Sequence, residues 1–233
     1  MIWSKKRRRI ILNEKFYALP FAKQNAIINA ASKVFSKSDY KHATTDAIVK
    51  EAGISKGLLF HYFGNKKGLY LFLYRYCIDF LRREIPKYAN SQETDFFDIL
   101  FQTQRAKVAI MKQHPYMMQY LMTAYFEKDE EVAEDLGLQN TDIIGQSIEA
   151  VLRRTDYTKF KDGVDVRKVL KMIVWTSDGM VRDAIAYAEN EAPRFAVPDE
   201  METVPDAIDV EKLNEELLGY LEMLRKYLYK EEG

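Results

Sequence analysis

The sequence predicts an all-α protein in which a small N-terminal domain precedes a larger helical domain. Apolar residues recur at three- and four-residue spacing along most of the 233 residues, which is typical of amphipathic helices. The alternation of apolar and polar residues that marks β-strands is absent. Four of the ten glycines lie between residues 53 and 68 and none lies between 69 and 136, so a segment rich in turns precedes long helices.

The N-terminal helices are predicted from apolar spacing and capping residues. The stripe from Ile27 to Phe35 indicates a first helix over about residues 20 to 37. Thr44 or Thr45 can cap a second helix that continues through residue 51. Gly53 follows at the position where a left-handed residue commonly ends a helix.

A third and a fourth helix are expected next. Ser55 caps the third helix, and the fourth begins near Asn65 and is expected to stop at Pro86. Apolar periodicity then predicts five more helices, at about residues 95–113, 115–127, 130–155, 165–189 and 207–229. The segment 190–206 holds three of the six prolines and is expected to be a loop.

The charges of the chain are divided unevenly although its formal net charge is zero. Residues 1–67 contain 14 lysines and arginines against four acids, a net charge of +10, and the remaining residues carry −10. We therefore predict two domains, 1–67 and 68–233. The basic domain would attract a polyanion, and the basic run Lys5–Arg9 is either a solvated arm or a phosphate or minor-groove contact.

Residues 44–69, TTDAIVKEAGISKGLLFHYFGNKKGL, have the pattern of a helix-turn-helix. An apolar seam between the two short helices is expected from Ala47, Ile48, Ala52, Ile54 and Leu59. The outward face is then expected to carry Ser55, Lys56, Gly57, Leu58, His61 and Tyr62. Such a face predicts contact with bases in the major groove, and the start of the helix offers N–H groups to phosphate.

This segment closely resembles the tetracycline-repressor (TetR) family. The matching residues are Thr45, Gly53, Ser55, Lys56, Gly57, Leu59, His61, Tyr62, Phe63, Lys66 and Leu69. The resemblance covers residues 20 to 80 or so. It implies a homodimeric, ligand-responsive transcriptional regulator, expected to be a repressor, that binds a palindromic double-stranded DNA operator and holds an effector in its C-terminal domain.

The resemblance also implies the DNA-contacting residues. Thr45, Tyr62 and Lys66 resemble phosphate anchors, whereas Lys56, Gly57 and His61 resemble contacts with base edges or a close approach of the backbone. The full expected set is Thr44, Thr45, Ser55, Lys56, Gly57, Leu58, His61, Tyr62 and Lys66. Leu58 and Phe60 depart from the family pattern by lacking a polar group, so no relative's operator sequence can be carried over.

Two apolar stripes in the C-terminal domain resemble the family's dimer interface. One holds Val169, Met172, Ile173, Thr176, Gly179 and Met180; the other holds Val210, Leu217, Leu221, Leu224 and Leu228. We expect a homodimer through residues 165–189 and 207–229, with packing inside the subunit as the alternative. An apolar or amphipathic effector is expected to contact Met117, Met118, Leu121, Met122, Tyr125 and Trp175.

The sequence contains no pattern that predicts catalysis. The three histidines are scattered, and no metal-ligand spacing or glycine-rich phosphate loop occurs. We therefore expect no cofactor and no enzymatic activity. Cys77 is the only cysteine, which favours a reducing cytoplasm, and no segment is apolar enough for a membrane. A small-molecule or lipid-binding helical protein and a nonspecific DNA-binding protein remain the alternative functions.

Overall fold

The computed structural model describes residues 14–188 and 209–231, and both parts are built from helices. Residues 14–17 are helical, and the helices that follow are α1 (Phe21–Phe35), α2 (Thr45–Ala52), α3 (Lys56–Phe63), α4 (Lys66–Tyr88), α5 (Phe96–Gln113), α6 (Pro115–Tyr125), α7 (Ala133–Arg154), α8 (Val166–Ala188) and α9 (Val210–Leu228). A short 3₁₀ helix, Tyr157–Lys159, precedes α8. The described residues contain no strand, and the predicted all-α class is confirmed.

The predicted and observed helix ends agree to within a few residues, but Pro86 does not end its helix. This proline lies inside α4, which continues to Tyr88, so the prediction that it stops the helix was wrong. A proline removes one backbone hydrogen bond and clashes with the preceding turn, but only the last turn of α4 is affected here. The predicted loop 190–206 and the basic run Lys5–Arg9 lie outside the described residues.

The chain forms two compact units. The first combines residues 1–82 with 111–141, and the second combines 83–110 with 142–233. These units do not follow the predicted division after Lys67, which was based on charge and motif and stays a prediction. The first unit has a core of aromatic rings in which Tyr70 contacts Phe35, Tyr40 and Tyr120 at centroid distances of 4.7, 5.1 and 5.2 Å.

The core of the second unit includes five of the eleven residues in the two apolar stripes that the sequence suggested for dimerisation, with Leu224 and Leu228 partly buried against it. Leu221 is 1% exposed, and Val169 and Ile173 are also buried in this core. The prediction that these side chains face a partner was therefore wrong. Seven-residue spacing identifies an apolar helix face, but it does not distinguish a partner subunit from the helix's own domain.

A polar cluster fixes the last turn of α9 within the second unit. Asp95 is 2% exposed and accepts hydrogen bonds from Lys159 at 2.8 Å and Tyr229 at 3.1 Å. Arg225 lies 3.4 Å from Asp95 and 2.8 Å from Asp98. The backbone of Leu228 also accepts a hydrogen bond from the N–H of residue 161. A buried carboxylate with several donors keeps its charge, and here it holds two distant parts of the chain together.

Candidate DNA-binding interface

Local capping positions the two short helices α2 and α3. The hydroxyl of Thr44 accepts a hydrogen bond from the N–H of Ala47 at 3.2 Å, and the hydroxyl of Ser55 accepts one from the N–H of Leu58 at 3.2 Å. Gly53, between the helices, has φ 65°. This left-handed conformation favours glycine and lets the chain reverse within a few residues. Thr44, of the two proposed threonines, is the one that caps α2.

The exposed face of α3 contains most of the residues predicted to contact DNA. Ser55, Lys56, Gly57 and His61 are exposed, and Leu58 is partly buried. Thr44 is exposed and Thr45 is partly buried at the start of α2. No atom outside the neighbouring residues and the helix backbone lies within 4 Å of the position of a Cβ atom at Gly57. The first turn of α3 is therefore open to an approaching ligand.

Tyr62 does not face outward as predicted. Its side chain is 7% exposed and lies with Leu59 and Phe63 on the buried face of α3. The Tyr62 ring is 6.3 Å from the Phe16 ring between centroids. Residues 59, 62 and 63 share one helix face because they are separated by three and four positions. Ala47, in contrast, was predicted in the apolar seam but is exposed.

The candidate interface contains an ion pair that the sequence analysis did not identify. The ammonium of Lys56 lies 2.9 Å from the carboxylate of Asp46, and both side chains are solvent-exposed. Asp46 thereby places a negative charge beside a lysine expected to meet DNA. Asp46 lies in the first turn of α2, where a negative charge is also favourable to the helix dipole. The partner, ten residues away, becomes evident only once α2 and α3 are packed.

The connection between α3 and α4 requires glycine at position 68. A Cβ atom there would lie 2.0 Å from the carbonyl oxygen of Phe63, far inside van der Waals contact. The N–H of Gly68 donates to the side chain of Asn65 at 2.7 Å, which caps the start of α4. The spacing from Asn65 to Gly68 matches a capping pattern, but the close approach to α3 is a tertiary feature.

Lys66 has a different environment from that of the predicted phosphate anchor. Its ammonium donates to the carbonyl oxygens of Tyr40, Lys41 and Ala43 at 2.7, 3.2 and 3.1 Å. An ammonium has three N–H donors, and these three acceptors use all of them. The observed contacts support a role in holding the α1–α2 loop, residues 36–44. A phosphate contact by Lys66 stays a prediction.

The residues proposed for effector binding fall into two groups. Met117 and Leu121 are buried on α6, and Met118, Met122 and Tyr125 on the same helix are partly buried. Trp175 belongs to α8 in the other compact unit and is 68% exposed, and its contact with an effector stays a prediction. An aromatic residue in a helix is equally compatible with a core and with an interface, and the sequence did not distinguish them.

Among residues 14–188 and 209–231, no group of three or more histidine, cysteine, aspartate or glutamate side chains is arranged to hold a metal ion. Within the same ranges no helix has the length and hydropathy needed to cross a bilayer.

Comparison with known proteins places the helix-turn-helix among bacterial regulators. The profile of the family described as "Bacterial regulatory proteins, tetR family" matches residues 27–72. Over 65 residues the chain is 35% identical to the HTH-type transcriptional regulator HbdR of Aromatoleum sp. (strain CIB), a match that spans 28% of each protein. Over 176 residues it is 23% identical to YfiR, an uncharacterised HTH-type transcriptional regulator of Bacillus subtilis (strain 168), covering 73% of this chain and 83% of YfiR.

The similarity of fold extends over nearly the whole chain. A crystal structure of a TetR family transcriptional regulator from Chloroflexus aurantiacus J-10-FL superposes with a TM-score of 0.57 and 20% identity. The match covers 94% of this chain and 98% of that one. At this identity the comparison establishes the architecture alone.

Proposed function

Because the chain belongs to the tetR family of bacterial regulatory proteins and is a transcriptional regulator, we propose that it is a ligand-responsive repressor. In this proposal a homodimer binds a palindromic operator through α2 and α3 of each subunit. An apolar or amphipathic effector contacts α6 and lowers the affinity for DNA. The observation that carries the proposal is the exposed, N-capped start of α3, which presents Ser55, Lys56 and Gly57.

DNA recognition would use the first turn of α3. The open position at Gly57 would let the DNA backbone or a base edge approach closely, while Lys56 and His61 would supply hydrogen-bond donors. Leu58 would contact a thymine methyl group. Tyr62 is buried, so its contribution would be to hold α3 against Phe16.

The dimer would form through exposed side chains of α8 and α9, of which only Met172 belongs to the apolar stripes that the sequence suggested. Met172 and Trp175 on α8 are exposed, as are Met223 and Tyr227 on α9. Leu217 and Leu221 on α9 are buried instead. An exposed group of large apolar side chains on two packed helices is typical of a surface covered by a partner. We assign this surface to a second copy of the chain.

Selection of duplexes from a random-sequence library tests the DNA-binding part of the proposal. We expect the full chain to select a sequence with two inverted half-sites, and footprinting to protect both halves symmetrically. A nonspecific DNA-binding protein would select no sequence, and a protein that only binds small molecules would retain no duplex at all. Either result would reject the proposal.

Met223→Asp tests the dimer surface, with Leu138→Asp on α7 as the matched control. Both residues are exposed, at 50% and 68%, so neither change disturbs a core. Burying an unpaired carboxylate in an apolar interface is costly, and we expect Met223→Asp to sediment as a monomer. It should also lose binding to the two-half-site duplex. If Met223→Asp remains a dimer of normal affinity, the interface lies elsewhere.

Expression of a reporter gene placed behind the selected duplex tests whether binding represses. We expect lower expression in cells that contain the protein, and recovery of expression with an effector that raises its melting temperature. A compound that stabilises the protein without changing its affinity for DNA would contradict the proposed ligand response.

A further inference from the structure

The connection between α6 and α7 is bonded to the DNA-binding part of the chain through Glu127. The carboxylate of Glu127 accepts a hydrogen bond from the N–H of Tyr40 at 2.9 Å and one from the hydroxyl of Tyr70 at 3.4 Å. It also accepts from the N–H groups of Lys128 and Asp129 at 2.9 and 3.0 Å. One side chain therefore joins the α6–α7 connection to the α1–α2 loop, 87 residues earlier in the sequence.

Lys67 makes a second link at the start of α4. Its ammonium donates to the carbonyl oxygen of Glu131 and lies 2.8 Å from the carboxylate of Asp135. The preceding residue, Lys66, donates to three carbonyl groups of the α1–α2 loop. Adjacent lysines thus attach the start of α4 both to that loop and to the α6–α7 connection.

Buried aromatic side chains beneath these polar contacts also join α6 to α4. The hydroxyl of Tyr120 on α6 donates to the carbonyl oxygen of Tyr70 at 2.6 Å. Burial and the nearby charge of Glu127 raise the pKa of Tyr70, so its hydroxyl stays protonated and remains a donor. The α1–α2 loop ends at Thr44, which caps α2.

We propose that the α6–α7 connection, residues 126–132, is mechanically coupled to α2 through the α1–α2 loop, with Glu127 and Lys67 as the positioning residues. We call the contacts of Glu127 with Tyr40 and of Lys67 with Glu131 and Asp135 the junction clasp. A displacement at the end of α6 moves Glu127 and therefore the backbone at Tyr40. Because this loop ends at the cap of α2, the displacement reaches the helix-turn-helix by a route that does not require a pivot of α4. This inference rests on the proposed DNA-binding function.

Hydrogen exchange in the full-length protein tests the junction clasp, with and without the duplex selected from the random library. Coupling is reciprocal, so DNA bound at α3 should slow exchange at residues 126–132, which are not expected to touch DNA. Glu127→Ala and Lys67→Met should remove this remote response while DNA still protects α3. Both variants should weaken DNA binding by roughly 2- to 30-fold.

Exposed neighbours provide matched controls. Glu130→Gln and Lys128→Met change the charge of the same connection at exposed side chains. We expect both to retain the remote response. If Glu127→Ala does not fold, Glu127→Gln keeps an acceptor for the Tyr40 N–H and should show a reduced response in a folded protein.

Two further outcomes separate the inference from the proposed function. If the wild-type protein binds its duplex and exchange at residues 126–132 is unchanged, or if the two clasp variants respond like the controls, the coupling is wrong. If no duplex is selected, the proposed function fails. The DNA-free samples still test the clasp, because Glu127→Ala must accelerate exchange at Tyr40 relative to Glu130→Gln, and equal rates would overturn it.

Discussion

Gly68→Ala should displace α3 from the start of α4 and weaken DNA binding. The new Cβ atom would lie 2.0 Å from the carbonyl oxygen of Phe63, so the two backbones must separate by about 1 Å. Overpacking of this kind costs about 1–3 kcal/mol. The higher helix propensity of alanine returns at most about 1 kcal/mol. A backbone contact at 2.0 Å belongs in the upper part of the overpacking range, so we expect a net destabilisation of about 1–2 kcal/mol and a Tm lower by roughly 2–8 °C.

The expected effect on DNA follows from the same displacement. Hydrogen bonds to bases and phosphates tolerate only a few tenths of an ångström, so a shift of about 1 Å in α3 should break one or two contacts. Since about 1.4 kcal/mol is equivalent to a tenfold change, affinity should fall roughly tenfold or more in an electrophoretic shift assay.

Gly137→Ala on α7 is the matched control for this prediction. A Cβ atom at Gly137 would have no atom within 4 Å apart from its chain neighbours and the backbone of its own helix. The substitution should therefore raise the free energy of unfolding by up to about 1 kcal/mol and leave DNA binding unchanged. The reasoning would be refuted if Gly68→Ala were as stable as Gly137→Ala and bound DNA with wild-type affinity.

Three other substitutions test separate features. Gly57→Ala should stabilise the DNA-free protein by up to about 1 kcal/mol yet weaken DNA binding, because its Cβ is unobstructed only in the absence of DNA; equal affinity would contradict the proposed close approach. Asp46→Asn should change stability by less than about 1 kcal/mol and strengthen DNA binding by freeing the charge of Lys56, as measured by titration at low salt. Burial alone would raise the pKa of Asp95, but the hydrogen bond from Lys159 and the charge of Arg225 outweigh it and hold the pKa below 3.8. The resulting stabilisation is present above pH 3.8 and is lost as the pH falls further. Asp95→Asn should therefore lower the free energy of unfolding at pH 7 by about 1.5–3 kcal/mol. In denaturant titrations at pH 2–3 the difference between the variant and the wild type should be smaller.

The features that the sequence predicted well depend on residues close together in the chain. Thr44 and Ser55 each bond an N–H group three residues later, and Gly53 supplies the left-handed turn between them. These signals depend on backbone geometry within one turn and require no knowledge of tertiary packing. The helix-turn-helix could therefore be placed from the sequence.

The errors concern contacts between residues far apart in the chain. Tyr62 was predicted to face outward but packs on Phe16, and Leu221 packs inside its own unit rather than against a partner. An apolar stripe indicates which side of a helix is buried, but the sequence of that helix does not identify what packs against it. Lys66 illustrates the same limit, because its three acceptors lie more than 20 residues away.

The exposure of Trp175 also provides a spectroscopic signal that needs no added label. The chain contains two tryptophans, Trp3 and Trp175, and Trp175 lies on the surface that we assign to the dimer. Trp3→Phe would leave the indole of Trp175 as the only one, and transfer of that ring from water to an apolar interface shifts its emission to shorter wavelength. Dilution of this variant would then report dissociation directly, and quenching by iodide would distinguish the indole in a monomer from that in a dimer.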